Sequence, residues 1–167
     1  PEGLVYFVFV GLFNASRKEV KIGRRKPQQA EQFEACVNSI TAKGGGDAPE
    51  DGLEALAYAI KSKWTNETAK KRHVIVVWTD ASTHELGYGK SSPYYPKGMP
   101  QDMSELNDWW DDMNENSKRL IMFAPEQPYW DYISQNWDNV VHYPSAAGNG
   151  LAEKSYGEIL NAIANSV

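Results

Sequence analysis

Gly44-Gly45-Gly46-Asp47-Ala48-Pro49-Glu50-Asp51 opens a helical pattern that leads into His73-Val74-Ile75-Val76-Val77-Trp78-Thr79 and stops at Asp80. The glycine run closes a preceding helix. Asp47 and Glu50 stand at capping-box spacing, Pro49 fits a first turn, and Leu53, Leu56 and Ile60 supply an apolar stripe, so the spacing predicts a helix starting at Asp47. The β-branched run after it has no polar interruption, which is the pattern of a strand covered on both faces of a parallel sheet. Asp47 and Asp80 thus fall at the mouths of consecutive elements of an α/β sheet, a geometry suited to a cation or a polar ligand.

Working outward, Leu4 to Val10 is a second uninterrupted apolar run and reads as an interior strand. Lys18 to Arg25 alternates charge with Val20 and Ile22, as expected of a short antiparallel edge strand, where charge also discourages edge-to-edge aggregation. Pro27 opens a helix carrying Phe33, Val37 and Ile40 at helical spacing. Beyond Asp80, residues Ala81 to Gln101 hold Gly87, Gly89, Pro93, Pro96, Gly98 and Pro100. That composition predicts a long loop, and long loops in compact domains are often functional. A helix from about Ser104 follows, with Leu106, Trp109, Trp110 and Met113. Then come a buried strand over Arg119 to Ala124, a short helix around Trp130 and Ile133, a strand over Val140 to Tyr143, and a final amphipathic helix from Tyr156. Strands alternating with helices give a mostly parallel sheet with helices on both faces.

The length of 167 residues suits one domain with its own core. The formal charge of -5 argues against nucleic acid and against anionic membranes, since both require clustered Lys and Arg, and favours a cationic ligand or partner. The single cysteine, Cys36, reads as a buried thiol with no internal disulfide to form. No apolar run is long enough to span a bilayer. The chain starts at Pro1, and an upstream segment is expected to have been removed or left out.

In open α/β sheets ligands collect beyond the carboxyl ends of the strands, which makes Asp80 the best-placed candidate. A carboxylate there can cap a turn or ligate a hard cation through oxygen. Ser82, Thr83, His84 and Glu85 add polar groups beside it, each alone also a common turn residue, and Tyr88, Tyr94 and Tyr95 in the long loop are candidates for partner contact. Gly87-Tyr88-Gly89-Lys90-Ser91-Ser92 ends like a phosphate-binding loop, but His84 stands where that pattern needs glycine and no helix follows. His73, His84 and His142 lack HExxH spacing, and no Gly-x-Ser-x-Gly elbow presents a nucleophilic serine. Trp109 and Trp110 are adjacent and so point in different directions on a helix; core packing is the default reading, and the alternative has one inward and the other toward a partner or the long loop.

The glycine-rich Gly44 to Glu50 stretch, the Ala/Leu-rich helix and the apolar strand ending in Thr79-Asp80-Ala81 together resemble a von Willebrand factor type A domain, with bacterial single-domain members the most similar. The resemblance implies a doubly wound, Rossmann-like sheet around a metal-ion-dependent adhesion site built from three carboxyl-edge loops. By that resemblance Asp47 belongs to the second loop and Asp80 is the third-loop carboxylate, acting through a coordinated water on Mg²⁺ or another divalent cation. It also implies a non-enzymatic module that binds an acidic group of a protein partner. The family's Asp-x-Ser-x-Ser motif does not occur in these residues, and its first, central strand and first helix have no counterpart. Because unpaired buried backbone groups cost about 1–3 kcal/mol each, that strand is expected from a segment ahead of Pro1 or from another chain. The alternatives are an α/β hydrolase or phosphotransfer enzyme using Asp80 with His84, or a metal-free scaffold.

Overall fold

The computed structural model describes residues 49–64, 72–93, 95–146 and 155–165, together with Ala35 and Asn38. Ala35 and Asn38 are helical and exposed, off the Phe33-Val37-Ile40 stripe. The expected strands over Leu4 to Val10 and Lys18 to Arg25, and the candidates Asp47 and Tyr94, lie outside the described residues.

Helices α1 (Gly52–Ile60), α2 (Met103–Asp111), α3 (Pro128–Asn136) and α4 (Tyr156–Ala164) alternate with strands β1 (His73–Trp78), β2 (Lys118–Pro125) and β3 (Val140–Ser145). The strands form a three-stranded sheet in the order β1-β2-β3, and both pairings are parallel. His73 is in register with Lys118 and Trp78 with Phe123, while Leu120 pairs with Val140 and Pro125 with Ser145. All three carboxyl ends therefore open on the same edge. The result is a small α/β fold of the expected class.

Side chains alternate across the sheet with the strand period. Ile75, Leu120, Met122 and Ala124 face a core closed by Leu53, Leu56 and Ile60 of α1, Leu106 and Trp110 of α2, and Trp130 and Ile133 of α3. Val74, Ile121 and Phe123 face the other way, against Ile159 and Ala162 of α4. Helices thus cover both faces, which is why β2 carries almost no solvent-facing residue. On the α4 face Phe123 stacks on Tyr143 with ring centroids 5.0 Å apart, and Trp78 leans on Phe123 at 5.9 Å.

The local signals set several helix ends. Asp102 accepts from Glu105 N at 3.0 Å and starts α2. Ser155 and Glu158 form a complete capping box at the start of α4. Pro128 occupies the first turn of α3, where a missing N–H costs nothing. The start of α1 differs from the sequence expectation: the helix begins at Gly52, not at Asp47, and Asp51 makes no side-chain cap bond. The reason is tertiary. Glu50 pairs with Thr83 as a parallel bridge, so its backbone is extended and bonded to another segment before the helix can begin. Among the described residues no helix is long and apolar enough to cross a membrane.

Candidate functional site

At the carboxyl edge the chain leaves β1 through Thr79, whose hydroxyl accepts from Ala81 N at 3.1 Å and turns the backbone. Asp80 sits on that turn, half-buried. The next residues are stitched to the entry of α1. Glu50 N donates to Ser82 O and His84 N donates to Glu50 O, each at 2.9 Å. Thr83 Oγ1 donates to Glu50 O at 3.0 Å and accepts from Leu53 N at 3.2 Å. That last bond satisfies an otherwise orphaned N–H of the first turn of α1, so the helix is capped by a residue 30 positions away.

Trp130 of α3 locks this junction from beneath. Its ring is buried, and its Nε1 donates to Ala81 O at 3.1 Å. A Cβ at position 52 would meet the Trp130 ring at 2.7 and 2.9 Å and Thr83 Oγ1 at 3.2 Å, so only glycine lets α1 start this close. The entry of α1, the turn after β1 and the first helical turn after β2 therefore meet at one indole.

The long loop then folds over α1. Gly87 has φ +83, a conformation that favours glycine, and its N–H donates to Glu54 Oε1 at 2.8 Å. Tyr95 OH donates to the same oxygen at 3.0 Å. Glu54 is only 1% exposed, and its Oε2 is buried with no hydrogen-bond partner. Burial first, and then the Glu54 carboxylate, hold the Tyr95 phenol well above its ordinary range. Tyr88, next to Gly87, is 60% exposed, and its ring lies on that of His84 with centroids 3.8 Å apart and planes 4° from parallel.

The structure thus gathers Asp80, Ser82, His84, Tyr88 and Tyr95 at one edge, on a loop fastened to α1. Tyr88 and His84 form an outward aromatic pair, whereas the hydroxyl of Tyr95 is turned inward to Glu54. Among the described residues no group of three or more His, Cys, Asp or Glu side chains converges to hold a metal ion. Within the described residues Asp80 is therefore not part of such a group.

Sequence reasoning missed Glu54, Gly52 and Trp130 as site-forming residues. A glutamate beside Leu53 on an amphipathic helix has the same local pattern whether it faces solvent or a returning loop. Gly52 alone carried a signal, since a glycine where a helix begins often marks a close approach.

The opposite edge of the sheet carries a concavity of about 580 Å³ between the ends of α1 and α2. Its aromatic floor is already engaged within the chain. Trp64 stacks on His73 at 4.9 Å, and Lys61 Nζ lies 3.9 Å from the Trp109 ring centroid. Of the adjacent tryptophans, Trp110 is the one that points inward.

Compared with known proteins, residues 18–88 match the family model of the von Willebrand factor A domain. No curated protein matches the chain. The matched span takes in the Gly44 to Asp51 stretch, α1, β1 and the loop as far as Tyr88, and it supports a von Willebrand factor A-type domain here.

Proposed function

We propose, with the von Willebrand factor A-type domain as premise, that the chain is a non-enzymatic interaction module that contacts a protein partner at the carboxyl edge of its sheet. Domains of this type generally mediate protein interactions, and the −5 charge disfavours nucleic acid as the ligand. The observation that carries the reading is the placement of Asp80 on the turn after β1, in a loop bonded backbone-to-backbone to the start of α1. That arrangement gives a carboxylate a fixed position at the edge where open α/β sheets take their ligands.

In this reading Asp80, with Asp47 from outside the described residues, provides carboxylate oxygens for Mg²⁺ or another divalent cation. The remaining ligands are hydroxyls and water from outside the described residues. A bound cation would supply an electrophilic position for an acidic side chain of the partner. Ser82, His84 and Tyr88 form the surrounding contact surface, with Tyr94 and Tyr95 on the same loop.

Thermal unfolding of the wild-type chain and Asp80→Ala, each with and without Mg²⁺, tests the site. Mg²⁺ is expected to raise Tm of the wild type and to leave Asp80→Ala unmoved. A shift of equal size in both proteins removes Asp80 from the cation site. Turnover of a generic ester or nucleotide that disappears in His84→Ala would replace the interaction reading with an enzymatic one.

A further inference from the structure

We infer that Glu54 is the positioning residue of the contact loop: it clamps the loop at Gly87 and Tyr95 and thereby sets where the His84–Tyr88 ring pair points. The inference rests on the reading of the carboxyl edge as the contact surface for its functional meaning, but its geometry stands independently of any metal or partner.

Glu54 occupies the first turn of α1, where a glutamate ordinarily reaches back to its own helix cap. Here it reaches away from the helix. One oxygen takes donors from residues 33 and 41 positions further along the chain, the backbone N–H of Gly87 and the hydroxyl of Tyr95. The loop is therefore tied at Gly87 and again at Tyr95 to a single carboxylate. The tie at Gly87 fixes the peptide that leads into Tyr88, and two tight turns, Tyr88 N to Glu85 O and Lys90 N to Gly87 O, stiffen the same stretch. With the backbone on either side of Tyr88 so constrained, its ring stays on His84 even though the residue is largely exposed.

The choice of residue supports a role beyond packing. Burying a carboxylate is unfavourable unless donors satisfy both oxygens, and Oε2 has none. An apolar residue would fill the same place without that penalty, but it would offer the loop nothing to bond. An ionised carboxylate accepts from both donors at once and gives charge-assisted bonds, which hold the loop more firmly than a neutral acceptor. The position near the positive end of α1 offsets part of the cost.

The experiment compares the full wild-type chain with Glu54→Leu and Glu54→Gln by NMR, without metal or partner. Stacking at 3.8 Å places the His84 ring protons in the ring current of Tyr88. In Glu54→Leu those signals are expected to move to unstacked positions. Exchange of the Gly87 amide is expected to accelerate about tenfold or more, with β2 amides still protected. Glu54→Gln, which keeps an oxygen for both donors, restores the His84 signals in part. Tyr95→Phe removes one tie without touching α1 and is expected to speed Gly87 exchange as well, so the test survives a Glu54→Leu chain that fails to fold.

His84 signals and Gly87 exchange that stay at wild-type values in Glu54→Leu, or in Tyr95→Phe where Glu54→Leu does not fold, overturn the inference. The Mg²⁺ shift in Tm is a separate measurement, made on the wild type and Asp80→Ala. Loss of the Mg²⁺ effect and loss of the clamp are thus separately visible.

Discussion

Among the described residues, the charged side chains of Lys118 and Glu54 are buried at opposite ends of the sheet, and their surroundings differ. Lys118, 2% exposed at the amino end of β2, is fully engaged. Its Nζ pairs with Asp138 at 3.0 Å, donates to Trp110 O at 3.0 Å, and lies 4.9 Å from the Trp110 ring centroid. Trp110 Nε1 in turn donates to Asp138 Oδ1 at 3.0 Å, and the Trp110 ring stacks on Trp137 at 5.1 Å. Glu54, at the carboxyl end, has both its donors on one oxygen and none on the other. A closed network holds the helix ends to the sheet. A half-satisfied carboxylate ties a loop to α1 at two points. The amino-edge charge is satisfied by its partners, whereas the carboxyl-edge carboxylate leaves one buried oxygen unsatisfied, at a cost in stability.

Breaking the Lys118 network should have the largest effect. Lys118→Ala takes the buried ammonium donor from Trp110 O and leaves Asp138 without its cation, and should destabilise the chain by about 3 kcal/mol, toward the low end for a buried pair because Asp138 is partly exposed. Denaturant unfolding measures this, and a loss under about 1 kcal/mol would mean that the two buried charges are energetically alike. Gly52→Ala comes next. The added methyl collides with the Trp130 ring, and overpacking of this kind costs about 1–3 kcal/mol. Combining it with Trp130→Leu should recover part of the loss, and strict additivity of the two substitutions would refute the collision as its cause.

The smallest effect is the dependence on alkaline pH. The fold raises the phenol of Tyr95 above its ordinary value of 10.0, so the folded state holds that proton more tightly than the unfolded one. The stabilisation is complete below that value and is lost as pH rises beyond it. Wild type should therefore lose stability more steeply above about pH 10 than Tyr95→Phe does, in unfolding curves taken across that range. Parallel slopes would detach Tyr95 from Glu54.

Much of the fold was legible because its signals are local. The run from Val74 to Val77 and the run from Leu120 to Ala124 are apolar without interruption, and both proved to be parallel strands with side chains packed on each face. Ser155 with Glu158, Asp102 with Glu105, and Pro128 each mark a helix start within a few residues of itself. The loop after Asp80 was legible from its glycines and prolines. The start of α1 was not, because Asp47 and Glu50 have capping-box spacing whether or not the chain uses it. A bridge from Glu50 to Thr83 delays the helix, and no window around Asp47 contains Thr83. The candidate residues Asp80, Ser82, His84 and Tyr88 could be placed at the carboxyl edge from sequence, since the end of a buried strand fixes that edge.

By itself the sequence determined, over the described residues, the order of strands and helices, the parallel character of β1 and β2, and the edge at which Asp80 emerges. These follow from hydrophobic period and from caps a few residues long. The tertiary structure alone decided that Thr83 caps α1 from 30 positions away, that Trp130 reaches Ala81 across 49, and that Glu54 lies beneath the loop rather than in solvent. Each of these depends on segments distant in the chain meeting in space. A glutamate next to a leucine looks the same in sequence whichever way the returning loop passes.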